Sequence, residues 1–241
     1  TKCSPLFFVL VITQGKKIFK PRPVYKIKVN PPSTQNPNAS IEKFKYRLTI
    51  AAFKKMLIQG IDYQEKYAST VRWNSLKVIF AIACKCNYDI VLFDISSFFL
   101  YGVLKSEIYM EQCEGWEDPA YPKELYVCKL NKSMYGLPQS PYRAQVELKQ
   151  ALYANGEFKS TTADDCIFKG QEQETKYVAL GAHVDDLPTT GVPAGIKKAE
   201  DAIGRKFKYT KIVNPDVITG VQIERNRGRG WLKLHQTEYT K

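Results

Sequence analysis

Apolar and polar residues change rhythm several times along this chain, and each rhythm predicts an element. "PVYKIKVN" (23–30) and "IEKFKYRLTIAAF" (41–53) alternate apolar with basic residues, the period of a half-buried strand with one cationic face. Between them "NPPSTQNPNAS" (30–40), dense in Pro, Asn and Ser, reads as a mobile loop, so the pair predicts a hairpin. "QGIDYQEKYASTVRW" (59–73) is irregular. "SLKVIFAIACKCN" (75–87) is mostly apolar and predicts a core helix capped by Asn74. "DIVLFDI" (89–95) predicts a buried strand carrying one carboxylate, Asp94, among apolar neighbours.

Further on, "SSFFLYG" predicts a short helical turn, and "EIYMEQ" and "LYVCKL" a strand pair around the loop "CEGWEDPAYPKE". "SPYRAQVELKQALYANG" predicts a second helix, with Pro141 near its start and Gly156 at its end. "KYVALGAH" and "LPTTG" flank Asp185 and Asp186 as a hairpin, and "PAGIKKAEDAIGRKF" predicts a third helix. "DVITGVQIER" and "WLKLHQ" form a last strand pair. There are no internal repeats, and helices interleaved with antiparallel strands predict an α+β fold.

Composition narrows this picture in three ways. At 241 residues the chain suffices for one large domain or two small ones, and 44% apolar residues is ordinary for a globular protein. The longest apolar run, "LFFVLVI" (6–12), is too short to span a bilayer. It also lacks the flanks of a signal peptide, so neither a membrane partner nor secretion is expected. Cys3, Cys84, Cys86, Cys113, Cys128 and Cys166 form no ligand-like pattern with the two histidines, which suits reduced thiols in a cytoplasmic or nuclear protein. The net charge of +12 is concentrated near the start: residues 1–60 hold twelve Lys/Arg and only Glu42. A segment so one-sided suits a polyanion partner.

Asp185 and Asp186 stand side by side, and such a pair by itself is a solvated turn. Asp94 changes the reading, because a carboxylate inside an apolar strand is costly unless it is paired or bound to a metal. If the Asp94 strand neighbours the Asp185–Asp186 hairpin in one sheet, three carboxylates converge. Hard divalent cations such as Mg²⁺ are their natural occupants. Two Mg²⁺ ions about 4 Å apart activate a hydroxyl and stabilise a leaving oxygen in phosphoryl transfer.

The chain resembles the reverse transcriptase domain of copia-type retrotransposons, nearly end to end. "FDISSFFLYGVLKSEIYMEQCEGW" (93–116), "VCKLNKSMYGLPQSPYRAQ" (127–145) and His183-Val184-Asp185-Asp186 carry the resemblance, the last standing for the family's YVDD box. "VYKIK", "KYRL", "ADDCIF", "ITGVQI" and "LHQTEY" are weaker echoes. The resemblance implies a right-hand polymerase: after a lead-in over 1–14, fingers over about 15–90 and 120–150, and palm over about 90–120 and 150–241. An antiparallel palm sheet would pack on helices, with the thumb absent or incomplete.

The same resemblance implies the site. Asp94, Asp185 and Asp186 would be the catalytic carboxylates, with the Ile95 carbonyl as a further ligand to two Mg²⁺ ions, for which Mn²⁺ can substitute. Arg47 would grip the dNTP triphosphate, where a planar fork suits phosphate oxygens. Phe99, or its neighbour Phe98, would pack beneath the sugar, and Gln139 would line the nucleotide pocket. His183 would sit near the primer terminus, and Lys26, Lys28 and Lys45 would hold an RNA or DNA template with its primer. Integrase and RNase H regions would flank the domain in a polyprotein working in cytoplasmic particles or the nucleus.

Departures from the family pattern are numerous. Pro23 and Ala144 replace tryptophans, Ser96 and Pro138 replace lysines, Ala51 replaces a basic residue, and His183 replaces a tyrosine. Pro188 removes a backbone donor from a strand that should pair. The alternative expectation is therefore a catalytically inactive module that binds nucleic acid. A metal-dependent nuclease is a third, for which only His183 could supply a base.

Overall fold

The computed structural model describes residues 7–11, 15–30, 40–51, 57–60, 63–171, 173 and 177–237. In chain order these form β1 (Phe7–Val11), β2 (Ile18–Phe19), β3 (Pro21–Asn30), β4 (Ser40–Ile50), α1 (Trp73–Lys85), β5 (Ile90–Ile95) and a 3₁₀ turn at Phe98–Tyr101. Then come β6 (Tyr109–Met110), β7 (Tyr126–Leu130), α2 (Ser140–Tyr153), β8 (Phe158–Ser160), β9 (Ile167–Gly170), β10 (Val178–Gly181) and β11 (Asp186–Gly191). The last are α3 (Pro193–Gly204), β12 (Tyr209–Val213), β13 (Val217–Ile218), β14 (Val221–Asn226) and β15 (Trp231–His235). The α+β expectation holds. The chain divides into two compact units, one of residues 1–66 and 102–143, the other of 67–101 and 144–241.

The second unit is built on an antiparallel sheet in the order β12-β5-β11-β10-β9-β8. Every residue of β5 is buried except Asp94, because this strand has neighbours on both edges and cover on both faces. That is why it reads as a continuous apolar run rather than an alternation. Helix α1 buries Leu76, Ile79, Phe80 and Ala83, the one-face spacing of an amphipathic helix, and packs on β10, β11 and β15. Ala144, Leu148, Ala151 and Leu152 of α2, and Ile196, Ala199 and Ile203 of α3, close the same core. Pro193 starts α3, where its missing N–H costs nothing. A small sheet, β13-β14-β15, completes the unit.

Asn74 is not the cap of α1. The helix begins one residue before it, at Trp73, with Arg72 in the cap position and making no side-chain bond there. The cap comes instead from across the unit: the Asp164 carboxylate accepts the backbone N–H of Arg72 at 2.9 Å. A negative charge at this helix end also suits the macrodipole. Burial works against the charge, yet hydrogen bonds from Ser75, Arg72 and Cys166 hold the Asp164 carboxyl below its ordinary value.

The first unit holds the sheet β1-β7-β6-β2 and, beside it, the hairpin of β3 and β4. The hairpin forms as predicted, with Tyr25 opposite Tyr46 and Lys26 opposite Lys45. The loop expected over 30–40 falls almost wholly outside the described residues. Half-burial is where the expectation fails. The apolar face of the ribbon carries Tyr25, Ile27, Phe44 and Tyr46, all exposed, with Tyr25 at 76% and Phe44 at 73%. Residues 111–124 line an open groove with Tyr25 and Tyr46, and Ile27 and Phe44 remain exposed.

Candidate active site

Asp94 lies in β5 and Asp186 opens β11, and the two are direct cross-strand partners. Asp185 stands one residue earlier, in the tight turn joining β10 to β11. There the His183 N–H donates to the Asp186 carbonyl at 2.8 Å, and the Asp186 N–H donates to the His183 carbonyl at 3.0 Å. Val184 takes φ 59°, the left-handed region that the first central position of a type II′ turn needs. A β-branched residue is strained there by roughly 1–3 kcal/mol, which surrounding structure has to offset. The Val184 side chain packs against the core, and the Ile95 N–H donates to the Asp185 carbonyl at 2.9 Å, tying the turn to β5. The three carboxylates thus gather at one end of two neighbouring strands.

Their electrostatics follow. Asp94 and Asp185 are exposed while Asp186 is half-buried. Burial, and then the charges of Asp185 and Asp94, push the Asp186 carboxyl up to about 6. Such a shift marks an excess of negative charge in one place, which a bound cation relieves. All donors are oxygens, the set a hard divalent ion takes. The residues therefore fit Mg²⁺. The three carboxylates share one end of the strands, but their oxygens do not all lie within 4.8 Å of one another. Among the described residues, the group whose ligand atoms lie within 4.8 Å of one another is Asp164, Asp165 and Cys166. That group is already committed: Asp164 caps α1, Asp165 pairs with Lys149 at 2.9 Å, and Gln145 bonds the Cys166 sulfur at 3.3 Å.

The same unit holds the neighbouring candidates. Ile95 is buried directly after Asp94. Phe98 is 4% exposed, its ring 6.2 Å from that of Phe207, whereas Phe99 is only half-buried at the margin of the core. Of the two rings, Phe99 is therefore the one open to a ligand. The His183 Nδ1 is buried and has no hydrogen-bond partner. Pro188 is accommodated because the β10 ladder pairs only Thr189–Gly191, so its missing donor falls where that ladder has ended.

The remaining candidates belong to the other unit. Arg47, Lys26 and Lys45 lie on one face of the β3–β4 hairpin with Lys28 and Lys43, since alternate residues share a face. Lys26 opposes Lys45 and Lys28 opposes Lys43, like-charge pairs that destabilise a ribbon unless an anion joins them. The Glu42 carboxylate does so for Lys28, at 3.7 Å, and for Lys43, at 3.8 Å. Partial desolvation, then the charges of Lys28, Lys43 and Arg47, pull the Lys45 ammonium below its ordinary value. The Arg47 guanidinium sits 5.6 Å from the centre of the Tyr135 ring. Gln139 is 2% exposed, and neither its amide nitrogen nor its oxygen has a partner. A buried amide left so is an open request for a hydrogen-bonding ligand or water.

Sequence reasoning missed what places Gln139. Gly136, three residues earlier, takes φ 96°, and a Cβ there would meet the Ile50 carbonyl oxygen at 2.2 Å. Only glycine lets this loop close on β4, where the Ile50 N–H donates to the Tyr135 carbonyl at 2.8 Å. The glycine inside "YGLPQS" was the available signal.

Comparison with known proteins agrees with the geometry. The sequence pattern of the family described as reverse transcriptase (RNA-dependent DNA polymerase) matches residues 9–241. The retrovirus-related Pol polyprotein from transposon TNT 1-94 of Nicotiana tabacum is 30% identical over 229 residues, covering 95% of this chain and 16% of that protein. The corresponding polyprotein from transposon RE2 of Arabidopsis thaliana is 30% identical over 206 residues, 85% of this chain and 14% of the relative. The truncated transposon Ty1-A Gag-Pol polyprotein of Saccharomyces cerevisiae is 27% identical over 175 residues, 69% of this chain and 14% of the relative. The chain spans about a sixth or less of the length of these relatives. The copia-type resemblance read in the motifs stands, and the chain belongs to the reverse transcriptase family.

Proposed function

We propose that this chain is the polymerising domain of a retrotransposon Pol polyprotein, adding dNTPs to a primer 3′-hydroxyl on an RNA or DNA template. The observation that carries this reading is the register of β5 and β11, which sets Asp94 opposite Asp186 with Asp185 at the adjoining turn. Asp94, Asp185, Asp186 and the Ile95 carbonyl would hold two Mg²⁺ or Mn²⁺ ions, which supply hydroxyl activation and charge neutralisation in phosphoryl transfer. The unit with the carboxylates would supply a palm that also takes in 67–89 and 144–150. The unit with the hairpin would supply fingers that also take in 102–120, a shift from the boundaries expected above. Arg47 would bind triphosphate oxygens, its guanidinium steadied by the Tyr135 ring. Gln139 would meet the nucleotide with its unsatisfied amide, and Phe99 would bound the sugar. The Lys26, Lys28 and Lys45 face would bind template and primer phosphates. Integrase and RNase H neighbours, and action in cytoplasmic particles or the nucleus, follow from a polyprotein origin.

A second reading is an inactive module that binds nucleic acid. The cationic face favours it, because that face needs none of the carboxylates. Primer extension with Mg²⁺ or Mn²⁺ decides. Extension by the parent and none by Asp185→Asn supports the polymerase. Salt-sensitive binding of primer–template without any extension leaves the module.

A further inference from the structure

The hairpin has a second face, which the polymerase reading leaves unused. Within the first unit, this apolar face and residues 111–124 enclose a groove of about 540 Å³. That is within the usual range of ligand pockets. One wall presents Tyr25 and Tyr46, their rings 5.3 Å apart. The other presents Trp116, 81% exposed, and the carboxylates of Glu111, Glu114, Glu117 and Glu124. Glu117 pairs with Lys123 at 3.8 Å. Among the described residues no ion pair engages Glu111, Glu114 or Glu124. Lys20 and Lys123 are the groove's cations, so carboxylates outnumber them in a protein whose net charge is +12.

We propose that this groove docks an extended, Lys/Arg-bearing peptide segment of a partner protein. Flat aromatic faces beside unpaired carboxylates are what a guanidinium or ammonium group seeks, since ring and charge both attract it. Tyr and Trp are also the side chains that most often anchor protein interfaces. Pro21 and Pro23 lie in the groove wall and offer no backbone donor. Recognition therefore rests on side chains rather than on an added strand. A nucleic acid is excluded by the same glutamates. Its partners, Lys26, Lys28, Lys45 and Arg47, face the other way on the alternating ribbon, so the two surfaces work independently. The proposal does not depend on polymerase activity.

The test is a titration of the full chain with a fluorescein-labelled eight-residue peptide of alternating Arg and Pro. The matching Glu–Pro peptide is the control. A protein this basic repels a cationic peptide in general, so saturable binding has to be local. Saturable binding of the Arg peptide is expected, while any binding of the Glu peptide, through the cationic ribbon, should be the same in parent and groove variants. Glu114→Gln/Glu124→Gln and Trp116→Ala should each weaken it at least tenfold while leaving primer–template binding unchanged. These side chains are exposed, and circular dichroism checks that the variants stay folded. In the parent, the peptide should also quench tryptophan emission, an effect lost in Trp116→Phe. No saturable binding of the Arg peptide, or binding of it unchanged in the groove variants, would overturn the proposal. So would loss of self-association in those variants by sedimentation velocity, which would make a second copy the occupant.

Discussion

Asp186 and Asp94 face each other across neighbouring strands, and Asp186 is the one that burial and charge disturb. Its carboxyl titrates near 6, above its ordinary 3.8, so the folded state holds this proton more tightly than the unfolded chain does. The associated stability is fully present below the ordinary value and is lost as pH rises through about 6. The unit should therefore be less stable at pH 8 than at pH 5 when metal is chelated. Asp186→Asn should remove this loss, raising stability at pH 8 by about 1 kcal/mol once solvent screening of a half-exposed carboxyl is discounted, and changing it little near pH 4. Urea unfolding of both proteins in EDTA across that range checks it.

The same charge excess predicts a metal response. Mg²⁺ or Mn²⁺ that binds only the folded protein should raise its melting temperature with concentration, following mass action. Asp185→Asn weakens the donor set without touching the turn's backbone bonds, so its melting temperature should hardly respond. Thermal scans at several metal concentrations separate the two. Equal shifts would mean that the ions bind elsewhere.

Part of this site was legible in the chain and part was not. Asp94 announces itself as the one carboxylate in "IVLFDI", although its side chain proves exposed and carries none of the burial cost expected for it. The adjacent aspartates do the same once Asp94 is in view. What links them is a strand pairing over about ninety residues, and pairing register depends on packing that periodicity does not encode. The cap of α1 shows the same limit: Asn74 is a sound local choice, but Asp164 reaches Arg72 from far along the chain. The hairpin shows the reverse. Alternation correctly marks two faces of a ribbon, yet says nothing about whether a layer covers the apolar one.

The cationic ribbon yields a salt prediction. Counterion release makes binding fall with salt at a slope of about 0.9 per phosphate neutralised. Replacing Lys26, Lys28, Lys45 and Arg47 together with glutamine should flatten the slope by as much as about 3.6 on primer–template. The crowding of Lys26 against Lys45 should ease while the Lys28–Glu42 pair and the Arg47–Tyr135 contact are lost, so the variant's stability should change little. Fluorescence anisotropy between 50 and 300 mM salt (roughly the range over which such binding changes most) measures the slope. An unchanged slope would place the nucleic-acid surface elsewhere.

Gly136 yields the last prediction, because its neighbourhood leaves a side chain nowhere to go. The backbone is left-handed at φ 96°, and the atom that a Cβ would strike, 2.2 Å away, is the Ile50 carbonyl oxygen rather than a movable side chain. Gly136→Ala must therefore either strain the loop or lift it off β4, breaking the bond between the Ile50 N–H and the Tyr135 carbonyl. Strain of this kind, with a buried hydrogen bond at risk, should cost about 2–4 kcal/mol of stability. Two groups of the proposed site ride on the same loop. Tyr135 underlies Arg47, and Gln139 follows three residues after the glycine. If they act on the nucleotide, Gly136→Ala should raise the dNTP concentration needed for half-maximal extension at a temperature where the variant remains folded. Binding of primer–template, proposed to rest on the exposed ribbon, should change much less. Extension kinetics at varied dNTP, read beside anisotropy on the same samples, distinguish a displaced nucleotide pocket from general unfolding, in which both would fail together.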